Sequence, residues 1–463
     1  MTQTRLPPTR RRAPRPIGLA ACLVLLSVFG TWPAVAQLRL PTPQIPIPRP
    51  PPLPDLDSLR HRAGDVLTPL ERLDLRSSTI EQLLRRDRIE ADASGQPVVR
   101  SEVVALSPAL PSLEAARAAG FTVARERALA DLGVTVVVLR APTGVSTAQA
   151  LQKLRALDPA GTYDFNHLYL GSGSLHEVGA AAGTALAPPS QAIAAQADSA
   201  PPRVGLLDGG IDAGHPTLRE ADLRRHGCEG AVVPTAHGTA VASLLVGQAR
   251  GFAGAAPAAA LYAADVYCGA VTGGAVDALA EALGWMAQQQ VRVINISLVG
   301  PNNSTLARVV GALLARGHIV VAAVGNDGPA APPLYPASYP GVVGVTAVDA
   351  SGEALPEAAR GPQVTFAAPG ADLAVAASGT RGYAAARGTS FAAPIVAGLL
   401  AMMGARNDAQ AAITQLARSA IDLGPPGRDT TYGYGLVGAQ LRVDPAQLVA
   451  ATPVFGHSDA GLR

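Results

Sequence analysis

Apolar runs alternate with helical patterns over the second half of the chain. From Arg203 onward the apolar runs are separated by stretches with helical spacing, such as 276–289 and 305–316. The runs read RVGLL, LYAADVY, VRVINIS, HIVVAAV and VVGVTAV. Strands of a parallel sheet covered on both faces are apolar along their whole length. The pattern therefore predicts an α/β domain over residues 203–448, with a doubly wound, mainly parallel sheet and helices on both faces.

A second pattern precedes this one, over residues 98–170. Strand-like and helix-like segments follow one another in the order βαββαβ, with helices expected at 112–119 and 146–157. Ser146 is placed to cap the second helix, and Ala150, Leu151 and Leu154 share one of its sides. This order predicts a small α+β domain of the ferredoxin-like, split-βαβ type.

The N-terminal residues have the pattern of an export signal. An Arg-rich start is followed by an apolar run at 17–30 and by Ala34-Val35-Ala36, which predicts a signal peptide over residues 1–36. The run is too short to cross a bilayer, and no other segment is long and apolar enough, so the mature chain is expected to carry no membrane span. We expect an exported protein, either secreted or periplasmic.

The remaining segments have the composition of connections. Residues 41–54 read PTPQIPIPRPPPLP, and proline fixes φ and lacks an N–H donor, which predicts a stiff extended spacer. Residues 37–97 are expected to be largely irregular, apart from short helices around Leu73 and Ile80–Arg86. The Ala-, Gly-, Ser- and Pro-rich residues 171–202 predict a linker, and 449–463 a tail.

Composition limits the partners. There are 37 basic and 35 acidic residues, a formal net charge of +2, which gives no field to recruit nucleic acid. Hydrophobic residues make up 48% of the chain, enough for a large core. Loss of Cys22 with the signal leaves Cys228 and Cys268 in a compartment that permits oxidation. A disulfide between these two and a pair of free thiols both remain open.

Three polar residues stand where predicted elements end or begin. Asp208 follows the run RVGLL, His237 opens HGTAVASLLVG, and Ser390 lies in RGTSFAAPIVAG at the start of a helix. A serine hydroxyl is a weak nucleophile unless an imidazole takes its proton and a carboxylate orients that imidazole. Taken singly, Asp208 could belong to a turn, His237 could lie beside a helix, and Ser390 could be an N-cap. The three together favour nucleophilic catalysis.

The segments VGLLDGGIDAGHP, HGTAVASLLVG and GTSFAAPIVAG resemble the three signature segments of subtilisin-like serine proteases. The chain order Asp, His, Ser is also that of the family. The resemblance implies a serine endopeptidase with Asp208, His237 and Ser390 as its triad. Asn326, in VAAVGNDGP, matches the asparagine that would donate to the oxyanion.

The resemblance also implies a substrate cleft and extended polypeptide substrates. The segment Ser297-Leu298-Val299-Gly300 resembles the edge that pairs with a peptide, and Gly273-Gly274 lies where the opposite edge is expected. Val299 in place of a usual glycine, and Leu334 drawn towards the pocket by a short loop, indicate a shallow apolar pocket. The loop 246–254 lacks side-chain oxygens for calcium, so no strong calcium site, no other metal and no cofactor is expected.

In this family a domain such as 98–170 commonly acts as a prodomain, which assists folding, inhibits the site and is removed by self-cleavage. The resemblance implies a zymogen cut between Leu170 and Ala200, and a monomer is expected. An accessory domain that binds another protein is the other interpretation of 98–170. A catalytically silent peptide-binding or scaffold protein with a protease fold stays open as the alternative for the whole chain.

Overall fold

The structure, a computed structural model, describes residues 75–177, 201–404 and 408–449. The predicted signal peptide, the spacer 41–54, the short helix around Leu73, most of the linker and residues 450–463 lie outside the described residues. Every described residue belongs to one compact unit. Within the described ranges, no helix is long and apolar enough to cross a membrane.

The first part is an antiparallel sheet with two helices on one face, which we call the N-terminal domain (residues 89–167). Its strands are β1 (Ile89–Ala91), β2 (Pro97–Leu106), β3 (Thr122–Leu129), β4 (Val134–Arg140) and β5 (Thr162–His167); its helices are α2 (Leu110–Ala118) and α3 (Thr147–Leu157), with a 3₁₀ turn at Ala130–Leu132. Strand β2 lies between β4 and β5, and β3 pairs with β4, which is the split-βαβ arrangement. Ser146 caps α3 in a capping box with Gln149.

The last part of the segment 37–97 is more ordered than expected. Helix α1 (Leu75–Leu84) overlaps the short helix expected around Ile80–Arg86, but strand β1, which extends the N-terminal sheet along β2, was not expected. The reason is local burial: Leu83 and Leu84 of α1 pack against an apolar cluster that includes Ile89 and Val99. The expectation of a largely irregular segment therefore does not hold for β1.

The second part is built on a parallel sheet of seven strands in the order β17-β16-β15-β13-β8-β12-β9, as predicted for an α/β domain. The strands are β8 (Arg203–Asp208), β9 (Leu223–His226), β12 (Ala260–Asp265), β13 (Val293–Ile296), β15 (Ile319–Ala323), β16 (Val343–Val348) and β17 (Val364–Pro369). Each neighbouring pair is parallel. The carboxyl ends of the strands therefore meet at one edge, where reactive groups of open α/β sheets gather.

Helices cover both faces of this sheet. They are α4 (Ala236–Val246), α5 (Val276–Gln288), α6 (Ser304–Ala315), α7 (Thr389–Met402), α8 (Ala409–Ser419) and α9 (Pro445–Val449), with 3₁₀ turns at Cys228–Gly230 and Ala439–Leu441. One apolar core includes α4 and α7, and a second includes α5 and α6. The second core continues into the free face of the N-terminal sheet through Val104, Val136 and Val138. The two parts thus share a buried interface.

Short strands complete the structure and include part of the predicted linker. They are β6 (Leu170–Gly171), β7 (Ser174–Glu177), β10 (Gln248–Ala249), β11 (Phe252–Ala253), β14 (Leu298–Val299), β18 (Leu373–Ala376) and β19 (Tyr383–Arg387). Strand β6 pairs with β14, and β7 pairs with β19. Residues 174–177 are therefore a paired strand, because backbone pairing requires no apolar pattern in the sequence.

Candidate active site

A carboxylate and an imidazole meet at the carboxyl edge of the parallel sheet. Asp208 is the last residue of β8 and is 1% exposed. His237 is the second residue of α4, whose start is fixed by Thr235, since the Thr235 hydroxyl accepts the Gly238 N–H at 3.0 Å. The His237 Nδ1 lies 2.9 Å from each carboxylate oxygen of Asp208. Because a carboxylate only accepts, Nδ1 carries the proton and Nε2 presents its lone pair.

The environment of His237 favours its protonated form. Burial lowers the pKa of His237, whereas the negative charge of Asp208 and its hydrogen bond raise it, and the net pKa lies above its usual value. The Nε2 atom is buried and has no hydrogen-bond partner among the described residues. The imidazole is thus held at Nδ1 by Asp208, whereas its Nε2 is buried and unpaired.

Ser390 lies in the first turn of α7, directly before a residue that packs on this imidazole. The next residue, Phe391, packs on His237 with ring centroids 5.3 Å apart. The Ser390 hydroxyl donates to the Ser297 carbonyl at 3.0 Å, and the Ser297 hydroxyl donates to the Ser390 carbonyl at 2.8 Å. The Ser390 Oγ also lies 2.8 Å from the Ser172 Oγ. Ser390 and His237 are thus linked through Phe391, while the Ser390 hydroxyl donates to Ser297 and not to the imidazole.

A buried amide donor lies on the other side of Ser390. The Asn326 side-chain oxygen accepts the Thr389 N–H at 3.1 Å, whereas its Nδ2 has no hydrogen-bond partner in the described part of the chain. The absence of a side chain at Gly388 lets the backbone of residues 172–173 approach this donor. A Cβ at Gly388 would lie 2.7 Å from Gly173 Cα, 2.9 Å from Asn326 Nδ2 and 3.4 Å from the carbonyl oxygen of Ser172. The site thus holds an unpaired donor near that carbonyl.

The chain itself runs through the site as an extended strand, which we call the connecting segment (residues 168–177). On one flank its β6 pairs antiparallel with β14, with Leu170 opposite Val299 and Gly171 opposite Leu298. On the other flank the Tyr169 N–H donates to the Gly274 carbonyl at 2.8 Å. Residues 169–171 are therefore held between two edges of the α/β domain.

The connecting segment continues past Ser390. The Ser172 N–H donates to Ser390 Oγ at 3.1 Å, and Ser174 then pairs with Arg387 in the β7–β19 ladder. A Cβ at Gly171 would lie 3.4 Å from the His237 ring. The peptide around Ser172 thus crosses the hydroxyl of Ser390, with the imidazole and the amide donor on either side.

The Subtilase family model, Peptidase_S8, matches residues 201–435. The domain is 34% identical over 246 residues to subtilisin BL of Lederbergia lenta, an alignment that covers 51% of this chain and 89% of that protein. This chain belongs to the subtilase family.

Two further proteins are similar to this chain over part of their length. The subtilase is 30% identical over 221 residues to the minor extracellular protease Epr of Bacillus subtilis, which covers 46% of the chain and 34% of Epr. The chain thus spans about a third of that relative. The crystal structure of fervidolysin from Fervidobacterium pennivorans matches with a TM-score of 0.60 at 20% identity, covering 77% of this chain and 62% of that one. That likeness concerns the fold.

The residues that we expected to bind substrate lie along the connecting segment. Gly300 is packed against the fully buried Tyr169, since a Cβ there would lie 2.7 Å from the Tyr169 ring. The Tyr169 hydroxyl donates to the Pro301 carbonyl at 2.6 Å, and the Tyr267 hydroxyl donates to the Tyr169 carbonyl at 2.8 Å. Sequence reasoning missed both tyrosines, because each reads as a core residue until the path of the segment is known.

The other predicted pocket residues are mostly buried. Val299 is fully buried, and Leu334 is 6% exposed and lies against Gly325. Gly273 closes the turn before Gly274, where its N–H donates to the Ala270 carbonyl at 2.9 Å. The preference of the subtilase for an apolar side chain stays a prediction.

The two cysteines of the subtilase join two loops at this edge of the sheet. Cys228 and Cys268 form a disulfide with their Cα atoms 5.1 Å apart. With Asp265 they make up the one cluster of three metal-capable side chains within the described ranges. Because a disulfide sulfur is not a thiolate ligand, this cluster does not have the donors of a metal site. The chain after Cys268 leads directly to Gly273 and Gly274.

Proposed function

We propose that this subtilase is an exported serine endopeptidase that hydrolyses peptide bonds of extended polypeptides, and that it is made as a zymogen which cleaves itself. The chief support is the connecting segment, which lies in the site as a peptide paired on both flanks with Ser172 against Ser390. Main-chain pairing of this kind binds extended peptides of many sequences. The enzyme would act as a monomer and without a cofactor.

The proposed chemistry uses four groups. The Ser390 hydroxyl attacks the peptide carbonyl carbon, and its proton passes to His237 Nε2. Asp208 holds the imidazole by Nδ1 and stabilises the imidazolium that forms. The unpaired Nδ2 of Asn326, together with the Ser390 backbone N–H, would donate to the oxyanion. His237 then returns the proton to the leaving amine, and water hydrolyses the acyl-enzyme.

One rotation precedes the attack. In the present arrangement the Ser390 hydroxyl donates to the Ser297 carbonyl, and His237 Nε2 is unpaired. Rotation about the Cα–Cβ bond of Ser390 would exchange the first hydrogen bond for one to Nε2. This arrangement is also the observation that favours the alternative, a catalytically silent peptide-binding protein, because there the serine would keep its bond to Ser297.

The bond proposed for self-cleavage is Ser172–Gly173. Three observations support it: the Ser172 N–H donates to Ser390 Oγ, residues 172–173 lie against the Gly388 backbone next to Asn326, and Gly171 lies against the His237 ring. This position lies within the range between Leu170 and Ala200 expected from the sequence. The N-terminal domain would remain as an inhibitor held by the buried interface and by residues 168–172.

Export is proposed from the first 36 residues. The disulfide between Cys228 and Cys268 supports an oxidising destination. The name of Epr describes an extracellular protease, which agrees with this proposal. No strong calcium site is proposed in the loop 246–254, which the short hairpin β10–β11 occupies.

Maturation of the full chain tests the function. The wild-type protein is expected to yield a new amino terminus at Gly173 and to react with a fluorophosphonate probe. Ser390→Ala should remain uncut and unlabelled with an unchanged circular dichroism spectrum, while the control Ser419→Ala, at the end of α8, should mature normally. A Ser390→Ala chain that matures unaided would contradict the assignment. A wild-type chain that stays uncut and unlabelled would favour the silent peptide-binding protein.

A further inference from the structure

A cavity of about 260 Å³ lies beside the peptide that crosses Ser390. The connecting segment 170–174 forms one wall, and Asn326, Asp327, Glu357 and Arg387 contribute to the other. It is therefore open to side chains that flank the peptide bond next to Ser390. Neither Val299 nor Leu334 lines this cavity, so it is distinct from the apolar pocket predicted from those residues.

The small residues of the connecting segment leave this cavity unfilled. The three residues that cross Ser390 are Gly171, Ser172 and Gly173, and the one side chain among them that carries a hydroxyl turns that group to Ser390 Oγ. In another peptide, a longer side chain at one of these positions would extend into the cavity.

A guanidinium group from a distant part of the chain lines this cavity. Arg76 of α1 donates from Nη1 to Asp327 Oδ2 at 2.8 Å and from Nη2 to the Gln96 side-chain oxygen at 2.7 Å. The side chains of Arg76 and Asp327 are 13% and 22% exposed, so the ion pair is largely shielded from water. Helix α1 is itself fixed by the packing of Leu83 and Leu84. A guanidinium group is thus held next to the proposed scissile bond.

The charges of the cavity explain why a cation is bound. Two carboxylates line it, Asp327 and Glu357, and Glu357 is already bound by Arg387 through two hydrogen bonds of 2.7 and 3.0 Å. Without Arg76 the charged side chains in the lining carry two negative charges and one positive charge. Asp327 would then be a partly buried carboxylate without a counter-ion, which is unfavourable until a cation replaces Arg76.

We propose that this cavity is a substrate subsite for a cationic side chain next to the scissile bond, that Asp327 determines this specificity, and that Arg76 occupies the subsite in the uncut chain. The inference rests on the proposed peptidase function. Release of the N-terminal part removes Arg76 and exposes Asp327. A lysine or arginine of the substrate, at a position equivalent to Ser172, Gly173 or Ser174, then pairs with Asp327.

Peptide cleavage by the matured full chain tests the specificity. At high dilution, where the N-terminal fragment dissociates, a peptide library varied at these three positions should show lysine and arginine enriched at one of them at least. Asp327→Asn should lower kcat/KM on a cationic peptide about fivefold, as a shielded ion pair predicts, and leave a neutral peptide unchanged. The exposed Asp372→Asn serves as the matched charge control. Arg76→Ala should leave the profile of the matured enzyme unchanged.

The outcomes separate the two proposals. Cleavage without cationic enrichment, or enrichment that Asp327→Asn leaves intact, overturns the subsite while the peptidase stands. Enrichment at the position of Ser172 would also refute the shallow apolar pocket predicted there. Absence of cleavage by every variant counts against the peptidase.

A second measurement reads the subsite without catalysis. In the uncut Ser390→Ala chain, Arg76→Ala leaves Asp327 without its cation, and agmatine, a small guanidinium amine, should then bind in the cavity and raise the melting temperature. The same agmatine should have no effect while Arg76 is present or when Asp327→Asn is added. An Arg76→Ala chain whose melting temperature agmatine does not change overturns the proposal, whether or not the enzyme is active.

Discussion

Truncation of Tyr169 should release the inhibited enzyme far more readily than any other change in the connecting segment. The Tyr169 side chain is fully buried, and its ring packs against Gly300. Its hydroxyl donates to the Pro301 carbonyl. Replacing a buried aromatic side chain by alanine costs about 3–5 kcal/mol. Since 1.4 kcal/mol is a factor of ten, Tyr169→Ala should weaken binding of the cut N-terminal fragment by roughly 10²-fold to 4 × 10³-fold.

The assay is the appearance of peptidase activity on dilution of the self-cut full chain, read with a neutral fluorogenic peptide. The concentration at which half of the activity appears should rise by the stated factor in Tyr169→Ala. Tyr169→Phe loses only the hydroxyl and should raise it about fivefold, the effect of one hydrogen bond. Leu110→Ala, on the exposed surface of the N-terminal domain, is the control. If Tyr169→Ala and wild type release activity at the same concentration, the segment does not inhibit through this pocket.

Two further substitutions, the pH dependence of self-cleavage and reduction of the disulfide test other parts of the molecule. Asn326→Ala should lower kcat by about 10²- to 10³-fold at similar KM, because the oxyanion loses one fixed donor; equal kcat values would exclude that role. Gly388→Ala, at φ 132°, would bring its Cβ to 2.9 Å from the same amide and should stop self-cleavage without loss of helical circular dichroism. The rate of self-cleavage should rise with pH through a midpoint above 6.5, since His237 must be neutral to accept a proton and its pKa is raised; a midpoint below 6.5 would contradict the arrangement. Reduction of the bond between Cys228 and Cys268, which closes a loop over a sequence separation of 40, should cost about 2–4 kcal/mol in unfolding free energy by denaturant titration.

The elements with a strong side-chain pattern were predictable from the sequence. The apolar runs before Asp208 and around 319–323 became central strands, and the capped helix after Ser146 formed as expected. Asp208 and His237 could be paired from the sequence. Asp208 directly follows a predicted strand, His237 begins a predicted helix, and the ends of such elements meet at one edge of the sheet. The distances and the direction of the Ser390 hydroxyl required the structure.

The parts that escaped prediction are those held by backbone or by distant charges. Residues 174–177 have no apolar alternation, yet their main chain pairs with β19. Arg76 and Asp327 are 251 positions apart, and nothing in either local pattern indicates the other. Strand β1 lies in a segment expected to be irregular, yet its main chain pairs with β2 and its Ile89 is buried.

The double pairing of the connecting segment makes bond breaking and release two separate events. In the acyl-enzyme the Ser172 carbonyl, esterified to Ser390, would stay anchored through β6, and the new amine of Gly173 would stay anchored through β7 within reach of that ester. The amine then competes with water, so that resynthesis of the peptide bond opposes the cut for as long as both ends stay in register. Dissociation of β7 from β19, and not the chemical step, would therefore make maturation irreversible.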